Sequence, residues 1–213
     1  VDIHLSKVKV QLPSQPGFLF QIKDLRIAQG SRLLIQGPSG RGKTTLLHLM
    51  AGLLLPTEGQ ISFGDYRLIS MNDEERSLMR RNHMGIVFQT LNLIDHLTTF
   101  ENVLLGLREE PDAASKAQEA LDRVGLGSRL KDRSALLSLG ERQRVAVARV
   151  LAAKPRLVLA DEPTSSLDKI NAEKVLEYFM DLPTESTLVM VSHDERIRHH
   201  FSSALSFSEV ISK

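Results

Sequence analysis

The stretch Gly37-Pro38-Ser39-Gly40-Arg41-Gly42-Lys43-Thr44 constrains this chain more than any other, because it fits G-x-x-x-x-G-K-[ST]. Its surroundings suit it. An apolar strand pattern over 32–36 precedes it, and a helical pattern over 43–51 follows, ended by Gly52 and Pro56. Glycines let the backbone wrap around an anion with its N–H groups inward, and the helix start adds the favourable end of a dipole. Lys43 is placed to reach β- and γ-phosphates, and the Thr44 hydroxyl to ligate Mg²⁺; Arg41 and the Thr44-Thr45 pair are variations that such a loop tolerates. The motif predicts nucleoside triphosphate binding. It does not separate kinases, GTPases, motors and transport ATPases.

Leu157-Val158-Leu159-Ala160-Asp161-Glu162-Pro163 is an apolar strand ending in two acids. In open α/β sheets ligands lie beyond the carboxyl ends of the strands. Asp161 is therefore expected to hold Mg²⁺, and Glu162 to orient and polarise an attacking water.

The remaining pattern predicts an α/β fold. Residues 3–12 alternate and read as an edge strand, 18–27 continue the alternation, and 61–63 and 85–89 are short strands. Residues 157–161 and 187–192 are continuous apolar runs of the kind buried on both faces of a parallel sheet. Helices are expected over 73–81, 101–107, 113–124, 141–153 and 172–179, with Asp112 capping and Gly125 ending the third, and a last strand over 204–208. The helical stretch at about 90–153 reads as a subdomain inserted in the core, within one domain spanning 1–213.

With no cysteine among 213 residues, disulfides, zinc–thiolate sites and thiol nucleophiles are excluded. A net charge of +1 gives no global reason to expect nucleic acid as a partner. The longest apolar run, 46–55, is far short of the ~20 residues of a spanning helix, so no membrane span of its own is expected and a membrane link would come through a partner.

Further motifs carry a family resemblance over essentially the whole chain. Ser138-Leu139-Gly140-Glu141-Arg142-Gln143-Arg144 resembles the signature loop of the ABC ATPases. Gln89 is similar to their Q-loop glutamine, Ser165-Ser166-Leu167-Asp168 to the D-loop, and His193 to the H-loop switch histidine. All stand in the family's order. Residues 86–93 and 97–103 resemble the lipoprotein-releasing and macrolide-exporting ATPases.

The resemblance implies a P-loop ATPase cassette with an N-terminal antiparallel β region and a helical subdomain inserted in a RecA-like core. It implies ATP as substrate, Mg²⁺ as cofactor, and a head-to-tail dimer with itself or a second cassette. Each ATP would be contacted by Gly40, Lys43 and Thr44 of one subunit and by Ser138 and Gly140 of the other. Gln89 would join Mg²⁺ and water to the groove that receives a permease. His193 would touch the γ-phosphate, and Asp168 would sit at the dimer interface. An aromatic upstream of the phosphate loop usually stacks on adenine; Phe18 is the candidate and Phe20 the runner-up. The implied place is the cytoplasmic face of a membrane, bound to a permease. A soluble ATPase acting on nucleic acid or ribosomes, and a low-turnover binding module, are the alternatives. Leu139 departs from the family's glycine, and leucine restricts φ > 0 and adds bulk.

Overall fold

The computed structural model describes residues 2–11, 19–107 and 111–211. The chain opens with strands Ile3–Val10 (β1), Phe20–Ile27 (β2) and Arg32–Gln36 (β3), then helix Lys43–Met50 (α1). Strands Glu58–Phe63 (β4) and Tyr66–Arg67 (β5), helix Asp73–His83 (α2) and strand Met84–Val87 (β6) follow. Helices Thr99–Leu107 (α3), Ala113–Arg123 (α4) and Leu139–Ala153 (α5) come next, then strand Leu157–Asp161 (β7) and helix Lys169–Met180 (α6). Strands Thr187–Ser192 (β8) and Ser203–Ser206 (β9) and helix Phe207–Val210 (α7) complete it.

Two sheets result. One is antiparallel in the order β2-β1-β4-β5; the other is parallel in the order β6-β7-β8-β3-β9. The parallel sheet is apolar on both faces, which explains its uninterrupted hydrophobic strands. Leu34, Val158, Ala160, Leu188 and Met190 join α3–α6 in one core. Ile35, Leu157, Leu159, Val189 and Val191 join α1 and the antiparallel sheet in the other. The architecture is therefore three layers with two cores.

Three sequence expectations need correction. β1 is not an edge strand but lies between β2 and β4. Alternation reports which face is buried, not how many neighbours pair with the backbone. Asp112 makes no side-chain capping bond; its carboxylate instead pairs with Lys116 one turn on at 3.3 Å. The strand expected over 204–208 ends at Ser206, whose hydroxyl caps α7 in a reciprocal box with Glu209.

Because all five strands of the second sheet run the same way, β3, β6, β7 and β8 deliver their carboxyl ends to one edge. Gly37, Gln89, Glu162 and His193 follow those ends, so motifs more than a hundred residues apart meet there.

Candidate nucleotide site

At that edge is a cleft of about 300 Å³ lined by Leu19, Ser39, Gly40, Gly42, Lys43, Thr44, Thr45, Gln89, Asp161, Glu162 and His193. Gly42 stands at the start of α1 with φ 102° and no side-chain cap, so first-turn N–H groups are left for an anion. Only glycine suits this position: a Cβ would come within 2.8 Å of the Phe20 ring. Gly37 and Pro38 turn their carbonyls to the Lys43 ammonium, which donates to them at 2.6 and 3.1 Å. These two line the adjoining cleft with His193, and Arg41 is exposed.

Glu162 is the most constrained acid of the site. It is a non-glycine residue at φ 48° directly after β7, the kind of backbone strain that surrounding structure must hold. Its N–H donates to the Val191 carbonyl at 3.0 Å, and its own carbonyl accepts from Ser165 N–H at 3.2 Å. The side chain is 7% exposed. Oε2 accepts from the Ser192 hydroxyl at 3.0 Å and from His193 N–H at 3.3 Å. Oε1 lies 2.9 Å from His193 Nδ1 and 3.5 Å from Lys43 Nζ.

Asp161 Oδ2 accepts from the Thr44 hydroxyl at 2.7 Å. Burial pushes the Asp161 carboxyl above its ordinary value and the neighbouring Glu162 charge adds to this, against the Thr44 bond and the positive fields of His48 and Lys43. Gln89 is exposed on the turn after β6 and faces the same cleft. Thr44, Asp161 and the Gln89 amide offer only oxygen donors of the type that a hard divalent cation takes.

The remaining expected residues are not brought into this cleft. Ser138 caps α5 in a reciprocal box with Glu141, and its hydroxyl accepts from Glu141 N–H at 3.3 Å. Asp168 caps α6 and accepts from Asn171 N–H at 3.1 Å; bonds from Asn171 hold its carboxyl below the ordinary value. Gly140 adjoins the D-loop, since a Cβ there would meet Leu167 at 3.3 Å. Ser138 and Asp168 are exposed.

Leu139 begins α5 and is not among the residues with positive φ, so leucine meets no backbone penalty there. What remains of the departure is bulk, with the side chain 55% exposed. Phe18 lies outside the described residues. Phe20 is 1% exposed and packs edge-on against Phe207 at 5.6 Å, so it supports the loop from below rather than offering a face to adenine. Ser192 was missed by sequence reasoning. Its one signal was a hydroxyl at the end of a buried strand, where something polar must satisfy it.

Comparison with known proteins places this geometry. A family model described as ABC transporter matches residues 20–165. The lipoprotein-releasing system ATP-binding protein LolD of Legionella pneumophila (strain Lens) is 42% identical over 192 residues, covering 87% of this chain and 85% of that one. The LolD of Psychrobacter arcticus is 45% identical over 181 residues, covering 82% and 80%. Among solved structures, the dimeric ATP-binding cassette MJ0796 in a post-hydrolysis state with ADP and Pi superposes with a TM-score of 0.89 at 32% identity, covering 96% of this chain and 93% of that one. The chain belongs to the ABC transporter family, as one of its ATP-binding cassettes.

Proposed function

We propose that this chain binds Mg-ATP and hydrolyses it in a head-to-tail dimer, and that closing and opening of the dimer drives a separate membrane permease. One observation carries this. The phosphate loop, acidic pair and His193 share one cleft, while Ser138 and Asp168 are exposed elsewhere, which leaves them free to complete the site of a second cassette. Relatives support it: MJ0796 was solved as a dimer, once with ADP and Pi.

The residues divide the work. The Lys43 ammonium exchanges the Gly37 and Pro38 carbonyls for phosphate oxygens. Glu162, aimed by Ser192 and His193, polarises the attacking water. Ser138 and Gly140 at the start of α5 meet the γ-phosphate held by the other subunit. Thr44, Asp161 and Gln89 would hold Mg²⁺, which neutralises charge on the β- and γ-phosphates. Hydrolysis cuts the γ-phosphate from ADP, and once that phosphate leaves the closed population falls, because the remaining ligand no longer favours it.

Residues 90–153 act as the helical subdomain of a single cassette, a reading supported by the packing of α3 and α4 on α5 in one core. No helix among the described residues is long and apolar enough to cross a membrane. Relatives named for lipoprotein release favour action on the inner membrane face through a permease, with export-type coupling. Steady-state ATPase measured against protein concentration tests the composite site. Specific activity should rise steeply with concentration and saturate; a constant value down to high dilution would contradict the dimer.

A further inference from the structure

Gln89 enters a turn whose next residues are held in an unusual conformation. Leu91 and Asn92 are consecutive non-glycine residues at φ 60° and 49°. Asparagine tolerates this region, whereas leucine seldom enters it. Local bonds close the turn, with Leu91 N–H donating to Phe88 O at 3.0 Å and Asn92 N–H to Thr90 O at 2.7 Å. The carbonyls of both left-handed residues are taken by one side chain from α5. Arg149 donates through Nη2 to Leu91 O and through Nη1 to Asn92 O, each at 2.9 Å.

The arrangement is built on both sides. On α3, a Cβ at Gly106 would lie 2.9 Å from Arg149 Cγ and 3.0 Å from its carbonyl oxygen, so this close crossing requires glycine. The guanidinium is half-buried, and burial lowers its basicity. Among the described residues its partners are these two carbonyls and no carboxylate. A cation drawn partly out of water and set against carbonyl dipoles gains little stability. It is a good way to fix two carbonyls at once, because the planar fork presents two parallel donors. Helix α5 also starts at the Ser138 cap, so Arg149 ties the turn after Gln89 to the same rigid element that bears the signature residues.

We infer that Arg149 is a positioning residue for Gln89, holding the strained 90–92 turn so that the glutamine stays aimed into the nucleotide cleft and moves with α5. The inference rests on the role proposed for Gln89. Lysine at 149 keeps the charge but replaces the planar pair of parallel donors with a rotating ammonium on a flexible stem, which fixes the two carbonyls far less rigidly.

The test combines amide hydrogen exchange with ATPase kinetics on the full chain. Arg149→Lys should speed exchange at 88–93 by about tenfold or more while leaving β7 protected. It should lower kcat by about tenfold with KM for ATP changed by less than about twofold, as expected for a misplaced group rather than lost binding. Asn92→Gly added to Arg149→Lys removes the smaller left-handed cost that asparagine carries and should recover part of kcat. Unchanged exchange at 88–93, or a loss spread over all of α5 with no recovery by Asn92→Gly, would overturn the inference. If Arg149→Lys does not fold, Asn92→Val disturbs the same turn at an exposed position and leaves Arg149 in place. It should reproduce the local exchange and the kcat loss, and normal values of both would overturn the inference. Wild-type protein without ATPase activity would sink the proposed function instead, while exchange at 88–93 would still decide whether Arg149 holds the turn.

Discussion

Glu162 Oε1 and His193 Nδ1 stand 2.9 Å apart at the ends of the neighbouring strands β7 and β8. The two strands set this distance, and Ser192 completes it by donating to the other carboxylate oxygen at 3.0 Å. Ser192→Ala should therefore loosen the carboxylate without removing it. A hydrogen bond to a charged acceptor contributes about 1.5–3 kcal/mol, so kcat should fall roughly tenfold or more with ATP affinity little changed. Single-turnover hydrolysis beside equilibrium ATP binding measures both.

Asp161 gives a pH dependence with a definite sign. Burial raises its folded-state pKa above the ordinary aspartate value. As pH rises through that window, the folded protein must give up a proton that the unfolded chain has already lost, so this residue's contribution to stability is lost. Asp161→Asn should raise Tm at neutral pH, by about 2–4 °C for each kcal/mol at this chain length, while abolishing hydrolysis. The gain should vanish below the ordinary carboxylate range. Thermal melts of both proteins across pH decide the point; a Tm deficit in the variant at neutral pH would show that the carboxylate is net stabilising.

Leu139 has lost its backbone argument and kept its steric one. Because it sits in ordinary helical conformation at the first position of α5, Leu139→Gly should cost about 1 kcal/mol of stability or less. Removing an exposed side chain from the face expected to meet ATP should strengthen ATP-driven dimerisation by roughly fivefold, the effect of about 1 kcal/mol. Sedimentation at several ATP concentrations reads this; an unchanged midpoint would mean that the partner accommodates leucine.

Much of this molecule was legible in its sequence because the informative features are local. The phosphate loop is contiguous, and strands β3, β7 and β8 fall where the apolar runs place them. What escaped depends on partners distant along the chain. The central place of β1 needs β4, some fifty residues away, to pair with it. The fate of Phe20 depends on Phe207 from the far end of the chain, and the strain at Glu162 on a carbonyl of β8. The backbone at Leu139 was misjudged for a different reason: the helix begins two residues earlier than the 141 start expected from pattern, which brings Leu139 inside it.

The composite, ATP-dependent dimer is tested most directly by light scattering of Glu162→Gln with and without Mg-ATP. Glutamine keeps the shape of a residue held by Ser192 and His193 but removes the charge proposed to polarise water, which should slow hydrolysis by about 10²–10⁴-fold and trap ATP intact. The expected result is a monomer without nucleotide and a dimer with it. Protein that demonstrably binds ATP yet stays monomeric at high concentration would contradict a site completed by a second copy of this chain.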